Sequence, residues 1–123
     1  MLDIFGRDAY NVDIMAELLG TFEQGVLLVV WKLGEEAYGR AILRGVQSLL
    51  EREIVAGAIY ATLDRLEQKG LISSRLDEGT QVRSGRARRY YRVSSIGIAA
   101  LNESRAALRQ MWRAAKWPLE SKA

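Results

Sequence analysis

Five arginines between Gly79 and Arg92, with no acidic residue among them, are the densest chemistry in this chain. They are Arg83, Arg86, Arg88, Arg89 and Arg92, in the stretch "GTQVRSGRARRYYR". A guanidinium is a planar fork of donors that matches phosphate oxygens two at a time. On a hairpin tip it can also enter a minor groove, where negative potential rises as the groove narrows. Groups for bond-breaking chemistry are scarce by contrast. The 123 residues include no histidine and no cysteine. That removes the commonest general base and metal ligand, every Ser–His or Cys–His pair, thiolate metal sites and disulfides. An enzyme is not expected, nor a metal, nor any other cofactor.

The charge is unevenly placed. Residues 1–50 carry four basic and seven acidic side chains (−3), residues 51–78 four and six (−2), and residues 79–123 ten and two (+8), for a net +3. A basic second half on a mildly acidic front half suggests one surface that meets an anionic partner. On charge alone, a solvated basic helix and hairpin stays open as the alternative.

The elements that must position these groups can be read from spacing. The opening "MLDIFGRDAY" lacks a basic stretch followed by an apolar one, so no signal peptide is expected, and residues 1–13 read as a loose arm. From Ile14 to Leu33, apolar residues (Ile14, Leu18, Leu19, Phe22, Val26, Val29, Val30, Leu33) recur at helical spacing, with Gly34 as a stop and Gly20 as a candidate break. The apolar run Gly25–Trp31 is too short to span a bilayer, so no membrane partner is expected and the chain reads as cytoplasmic. A second helix is predicted from about Tyr38 to Arg52, burying Ala41, Ile42, Val46, Leu49 and Leu50, with Glu35 and Glu36 near its positive end. A third runs from near Val55 to a glycine stop at Gly70. Ile59, Leu63 and Leu66 share its inner face, while Gly57, Ala61, Asp64, Arg65 and Gln68 lie opposite.

Directly after Gly70, "LISSRLD" and "RARRYYRVS" have strand composition and flank the turn-rich "EGTQVRSG". Along the second strand, Ala87, Tyr91 and Val93 alternate with Arg86, Arg88, Tyr90 and Arg92. Ser94 or Ser95 can cap a last helix that runs to about Lys116, before Pro118. Three helices, a hairpin and a long helix make a mainly α chain with a small β-hairpin: a winged helix-turn-helix with a C-terminal dimerisation helix. The expected division is 1–94 for the winged region, 95–117 for the dimerisation helix and 118–123 for a tail. In such a fold the third helix must end abruptly, so that the wing springs from its base.

This arrangement gives candidate roles. A helix that enters the major groove needs small residues, or base-reading ones, in its first turns. Gly57, Ala58 and Ala61 meet the first demand. Tyr60 can reach a phosphate, or else bridge the third helix to the second as a half-buried aromatic. Arg65 is long enough for phosphate or guanine, or can pair with a surface acid. Asp64 repels phosphate on the same face. In the wing, Arg83 near the tip and Arg86 and Arg88 on the polar face are the candidates for DNA. Arg89, alternating inward, and Arg92, near the hairpin base, read as structural. A dimer that neutralised about six phosphates would lose affinity with a log–log salt slope of roughly −5.

The last helix carries Ile98, Leu101, Leu108, Met111, Trp112 and Ala115 as a broad stripe interrupted by Arg105. With the core already served by three helices and the wing, a two-fold partner is the natural cover. A helix folded back on its own domain, and a ligand cavity lined by Trp112, are the alternatives.

Three segments, "FEQGVLLVVWKLGEEAYG" (22–39), "GAIYATLDRLEQKGLI" (57–72) and "RARRYYRVSSIGIAAL" (86–101), resemble the PadR-like family of transcription regulators. The resemblance implies a homodimer, usually a repressor, joined through the C-terminal helix and often the first, and bound to a palindromic operator. It implies that Tyr60 and its neighbours engage DNA with the basic wing, and that Tyr38 lies near the DNA backbone. It also implies a small aromatic or hydrophobic effector in some relatives, held at the dimer interface where only one helix follows the wing. Val55 and Ala56 depart from the family's usual serine or proline before Gly57, which removes a cap, and Asp64 stands where a basic or polar residue is more usual. A winged-helix module that binds a protein rather than DNA is the competing reading.

Overall fold

The computed structural model describes residues 19–77 and 87–118. The arm 1–13, the predicted helix start at Ile14 and Leu18, the wing tip with Arg83 and Arg86, and residues 119–123 lie outside the described residues.

Helix α1 spans Thr21–Leu33 and starts at Gly20, the glycine flagged as a break. Glu23 accepts from the Gly20 N–H at 3.2 Å and from Lys69 Nζ at 3.0 Å. Burial opposes the charge on Glu23, but these hydrogen bonds outweigh it and hold the carboxyl below its ordinary range. The pair ties the start of α1 to the end of the third helix. Val26, Leu27, Val29 and Val30 are buried, whereas Leu28 and Trp31 of the same helix face outward.

A 3-10 turn, Gly34–Glu36, leads to α2, Gly39–Leu50. Ile42 and Val46 are fully buried, and Ala41 and Leu50 partly so. Leu49 corrects the expectation, being 52% exposed. The helix ends two residues before the predicted Arg52, as the chain leaves it through a left-handed Glu51 (φ 52°). In that last turn Leu50 lies over Gly25 of α1 and takes the inward position, which leaves Leu49 on the open side.

Helix α3, Ala56–Gln68, buries Ile59, Leu63, Leu66 and Thr62, and exposes Gly57, Ala61, Asp64, Arg65 and Gln68 as expected. Its N-cap is Val55, which has no side-chain oxygen to satisfy the first N–H groups and is 74% exposed. Val55→Ser should therefore stabilise the fold by about 1 kcal/mol, read as a melting temperature raised by roughly 5 °C.

The C-terminus of α3 closes as a Schellman motif. Gly70 (φ 77°) takes the left-handed conformation that costs glycine nothing. Its N–H donates to Glu67 O, and the Leu71 N–H donates to Leu66 O, both at 2.9 Å. The chain reverses within one residue, and strand β1, Ile72–Asp77, begins at once. It pairs antiparallel with β2, Arg88–Val93, in a register from Ile72↔Val93 to Asp77↔Arg88. Tyr91 is buried, and its N–H donates to Ala37 O at 2.8 Å, which pins the hairpin to the segment before α2. Arg89 is exposed but structurally engaged. Its Nη1 donates to Ser74 Oγ at 3.0 Å, and Ser74 donates to Glu67 Oε2 at 2.7 Å, linking wing to α3.

Helix α4, Ser95–Ala115, is capped by Ser94, whose Oγ accepts from the Gly97 N–H at 3.0 Å. The same hydroxyl donates to Gly70 O at 2.7 Å, and the Ser94 N–H donates to Leu71 O at 2.9 Å. Gly97, Ala100 and Ser104 face inward, and Ser104 Oγ accepts from the Leu19 N–H at 3.1 Å. So the base of the wing, the end of α3 and the start of α4 share one hydrogen-bonded joint.

Candidate nucleic-acid interface

The first turns of α3 present methyl groups and bare backbone. Gly57 is exposed, with open space where a side chain would stand, Ala61 is exposed, and Ala58 is half-buried. Arg65 is exposed, and its Nη2 donates to Thr62 Oγ1 of its own helix at 3.1 Å. Asp64 shares that open face.

Tyr60, 45% exposed, takes the bridging place that the sequence offered as one of its two readings. Its ring lies across Gly39 at the start of α2, so close that a Cβ there would fall on the Tyr60 hydroxyl and 2.7 Å from Cε1. It bridges α3 to α2 and still shows an edge to solvent.

Next to Gly39, Tyr38 begins a second set of contacts. Tyr38 and Tyr90 meet edge to face, with centroids 5.9 Å apart at 67°, and are joined by a backbone bridge. The Arg88 guanidinium lies 4.1 Å over the Tyr38 ring, and that of Arg75 lies 4.9 Å over the Tyr90 ring. Each is within cation–π range. A strip therefore runs from Tyr60 on α3, past Gly39 and Tyr38, to Arg88 and Tyr90 on β2 and Arg75 on β1. Arg75 and Tyr90 escaped the sequence reading. Their signal was weak: Tyr90 shares the polar face with Arg88, but Arg75 opposes it only once the register is known.

Of the predicted dimer residues, Leu108, Met111 and Trp112 are 48%, 52% and 47% exposed, Ile98 and Ala115 are exposed, and only Leu101 packs partly on the core. The second half of α4 is not folded back on its own domain. Trp112 meets Trp117 edge to face at 5.7 Å, and Leu28 and Trp31 of α1 add outward apolar surface. Among the described residues, no group of three or more Asp, Glu, His or Cys could hold a metal ion, and no helix is long and apolar enough to cross a membrane.

Comparison with known proteins agrees with this geometry. Over 57 residues the chain is 47% identical to Transcriptional regulator Rv3488 of Mycobacterium tuberculosis, a match that covers 46% of this chain and half the length of that relative. A PadR-like transcription factor from Bacteroides fragilis superposes with a TM-score of 0.65 at 23% identity, covering 85% of this chain and 94% of its own. A PadR family transcriptional regulator from Eggerthella lenta gives 0.60 at 26%, covering 93% and 98%. Residues 26–103 match the Transcriptional regulator PadR-like family, most of the described winged region. The chain belongs to that family of transcriptional regulators and shares the winged-helix fold of these structures.

Proposed function

We propose that this chain acts as a homodimeric, sequence-specific repressor. Helix α3 enters the major groove of a palindromic operator, and the wing lies on backbone or minor groove. One observation carries the reading: small α3 residues, Tyr60, Tyr38 and Arg88 form one continuous strip, so helix and wing address a single partner. Gly57, Ala58 and Ala61 allow close approach to bases. Tyr38, Tyr60, Arg65 and Arg88, with Arg83 and Arg86 of the tip, supply contacts to the DNA backbone. Residues 1–94 carry this surface. Segment 95–117, with helix α4, carries dimerisation through Ile98, Leu101, Leu108, Met111, Trp112 and Ala115, with Leu28 and Trp31 continuing the apolar face. Exposed apolar area of this extent marks an interaction surface.

Selection of bound duplexes from a random pool tests the reading. The expected result is a two-fold symmetric site, bound with a log–log salt slope of roughly −5, that flattens by about one unit per lost phosphate contact in Arg88→Ala. Salt-independent capture of a protein, with no duplex enriched, would favour the protein-binding module instead.

A further inference from the structure

The family resemblance puts Tyr38 beside the DNA backbone, where a tyrosine would ordinarily act through its hydroxyl. The geometry points to a different role. We infer that Tyr38 and Tyr90 are positioning residues, whose ring faces hold Arg88 and Arg75 as a paired phosphate clamp on the wing. The inference rests on the reading that the wing meets DNA.

Three features carry it. Arg88 stacks on Tyr38 at 4.1 Å and Arg75 on Tyr90 at 4.9 Å, while the two rings brace one another edge to face. The rings are themselves fixed, because Tyr38 is bridged to Tyr90 and the neighbouring Tyr91 N–H is tied to Ala37 O. The guanidiniums keep most of their donors for another partner. Arg75 has an ion pair with Asp77, but at 3.8 Å, with the Arg75 side chain 63% exposed. Asp77 also faces Arg88 in the strand register, so one carboxylate stands beside two cations and leaves a net positive clamp.

A free arginine loses rotamer freedom when it grips a phosphate, and one already held over a ring loses less. A guanidinium centred over a ring is held without spending its N–H donors, which stay available to a phosphate. The clamp thus puts two guanidiniums at fixed positions on the strip that leads from the recognition helix. Arg75, on β1, becomes a DNA-contacting residue.

The test uses the full chain and the duplex enriched by selection. If the ring face does the work, Tyr38→Phe binds within about twofold of the parent, and Tyr38→Leu weakens binding by about threefold per copy, roughly tenfold for a site engaged by two copies. Tyr38→Leu added to Arg88→Ala then costs clearly less than the sum of the two single losses, and Arg75→Ala flattens the salt slope as Arg88→Ala does. Arg88→Lys, which keeps the charge and loses the planar stack, should weaken binding even if Tyr38→Leu proves too unstable to assay. Tyr38→Phe losing as much as Tyr38→Leu would make the hydroxyl the contact and overturn the inference, as would additive losses with Arg88→Ala or a neutral Arg88→Lys. If Arg88→Ala itself leaves affinity and slope unchanged, the wing does not meet DNA, and the underlying reading fails with it.

Discussion

Gly97→Ala is expected to destabilise the fold by about 2 kcal/mol, lowering the melting temperature by roughly 10 °C, although the residue is not among those proposed to contact DNA. A Cβ at Gly97 would fall on the carbonyl oxygen of Leu71, with Val93 Cγ1 at 2.7 Å and the Leu71 carbonyl carbon at 3.1 Å. That carbonyl cannot swing aside cheaply. It accepts from the Ser94 N–H, and the Leu71 N–H is held by Leu66 O in the Schellman turn. Overpacking against such a fixed group sits at or beyond the upper end of the usual range of about 1–3 kcal/mol. The helix-propensity gain from glycine to alanine returns only about 1 kcal/mol. Either α4 lifts from the hairpin or the turn after α3 opens. Gly57→Ala is the matched control. Open space surrounds that position, so the propensity gain appears as a stability increase of about 0.5–1 kcal/mol. Yet the added methyl stands on the face proposed to approach bases, so DNA affinity should fall as stability rises. Thermal melts paired with duplex titrations separate the two effects. A Gly97→Ala chain that melts like the parent would mean that α4 is not wedged against the hairpin.

The features legible in the sequence are those set by local chemistry. Gly70 marked the end of α3 because a left-handed residue was needed there and only glycine takes it freely. The 3.6-residue spacing of Ile59, Leu63 and Leu66 fixed the inner face of that helix, and a serine cap was legible as Ser94 or Ser95, of which Ser94 takes the role. Leu49 was misjudged because periodicity assigns it the same side as Val46, but says nothing of whether a neighbouring helix reaches the last turn. The stacking of Arg88 on Tyr38 joins residues fifty positions apart in numbering. It depends on how the wing docks on α2, which no local pattern encodes. Arg75 was hidden for the same reason: its role appears only when strand register sets it opposite Tyr90. Tyr60 was left between two readings because spacing cannot show that one ring both spans a helix junction and keeps an exposed edge.

Trp112→Ala should raise the dimer dissociation constant by about a thousandfold. A tryptophan near the centre of an interface contributes roughly 2 kcal/mol or more to truncation cost, and a two-fold axis counts each copy, giving about 4 kcal/mol. The single chain already exposes 47% of Trp112, so its removal should cost the isolated fold little, and far-UV spectra should match the parent. Sedimentation equilibrium then reads association without the confusion of unfolding. Trp117 packs edge to face on Trp112, so Trp117→Ala should give a smaller loss in the same direction, by freeing the ring that interface closure needs fixed. If the pair spans the dimer axis, operator affinity falls with dimerisation, because a monomer holds one half-site and forfeits the effective concentration that links the second. Mixing the variant at concentrations that restore the dimer should restore operator binding in parallel. A Trp112→Ala chain that stays dimeric at the parent's constant would remove this helix from the interface and leave its apolar stripe to another partner.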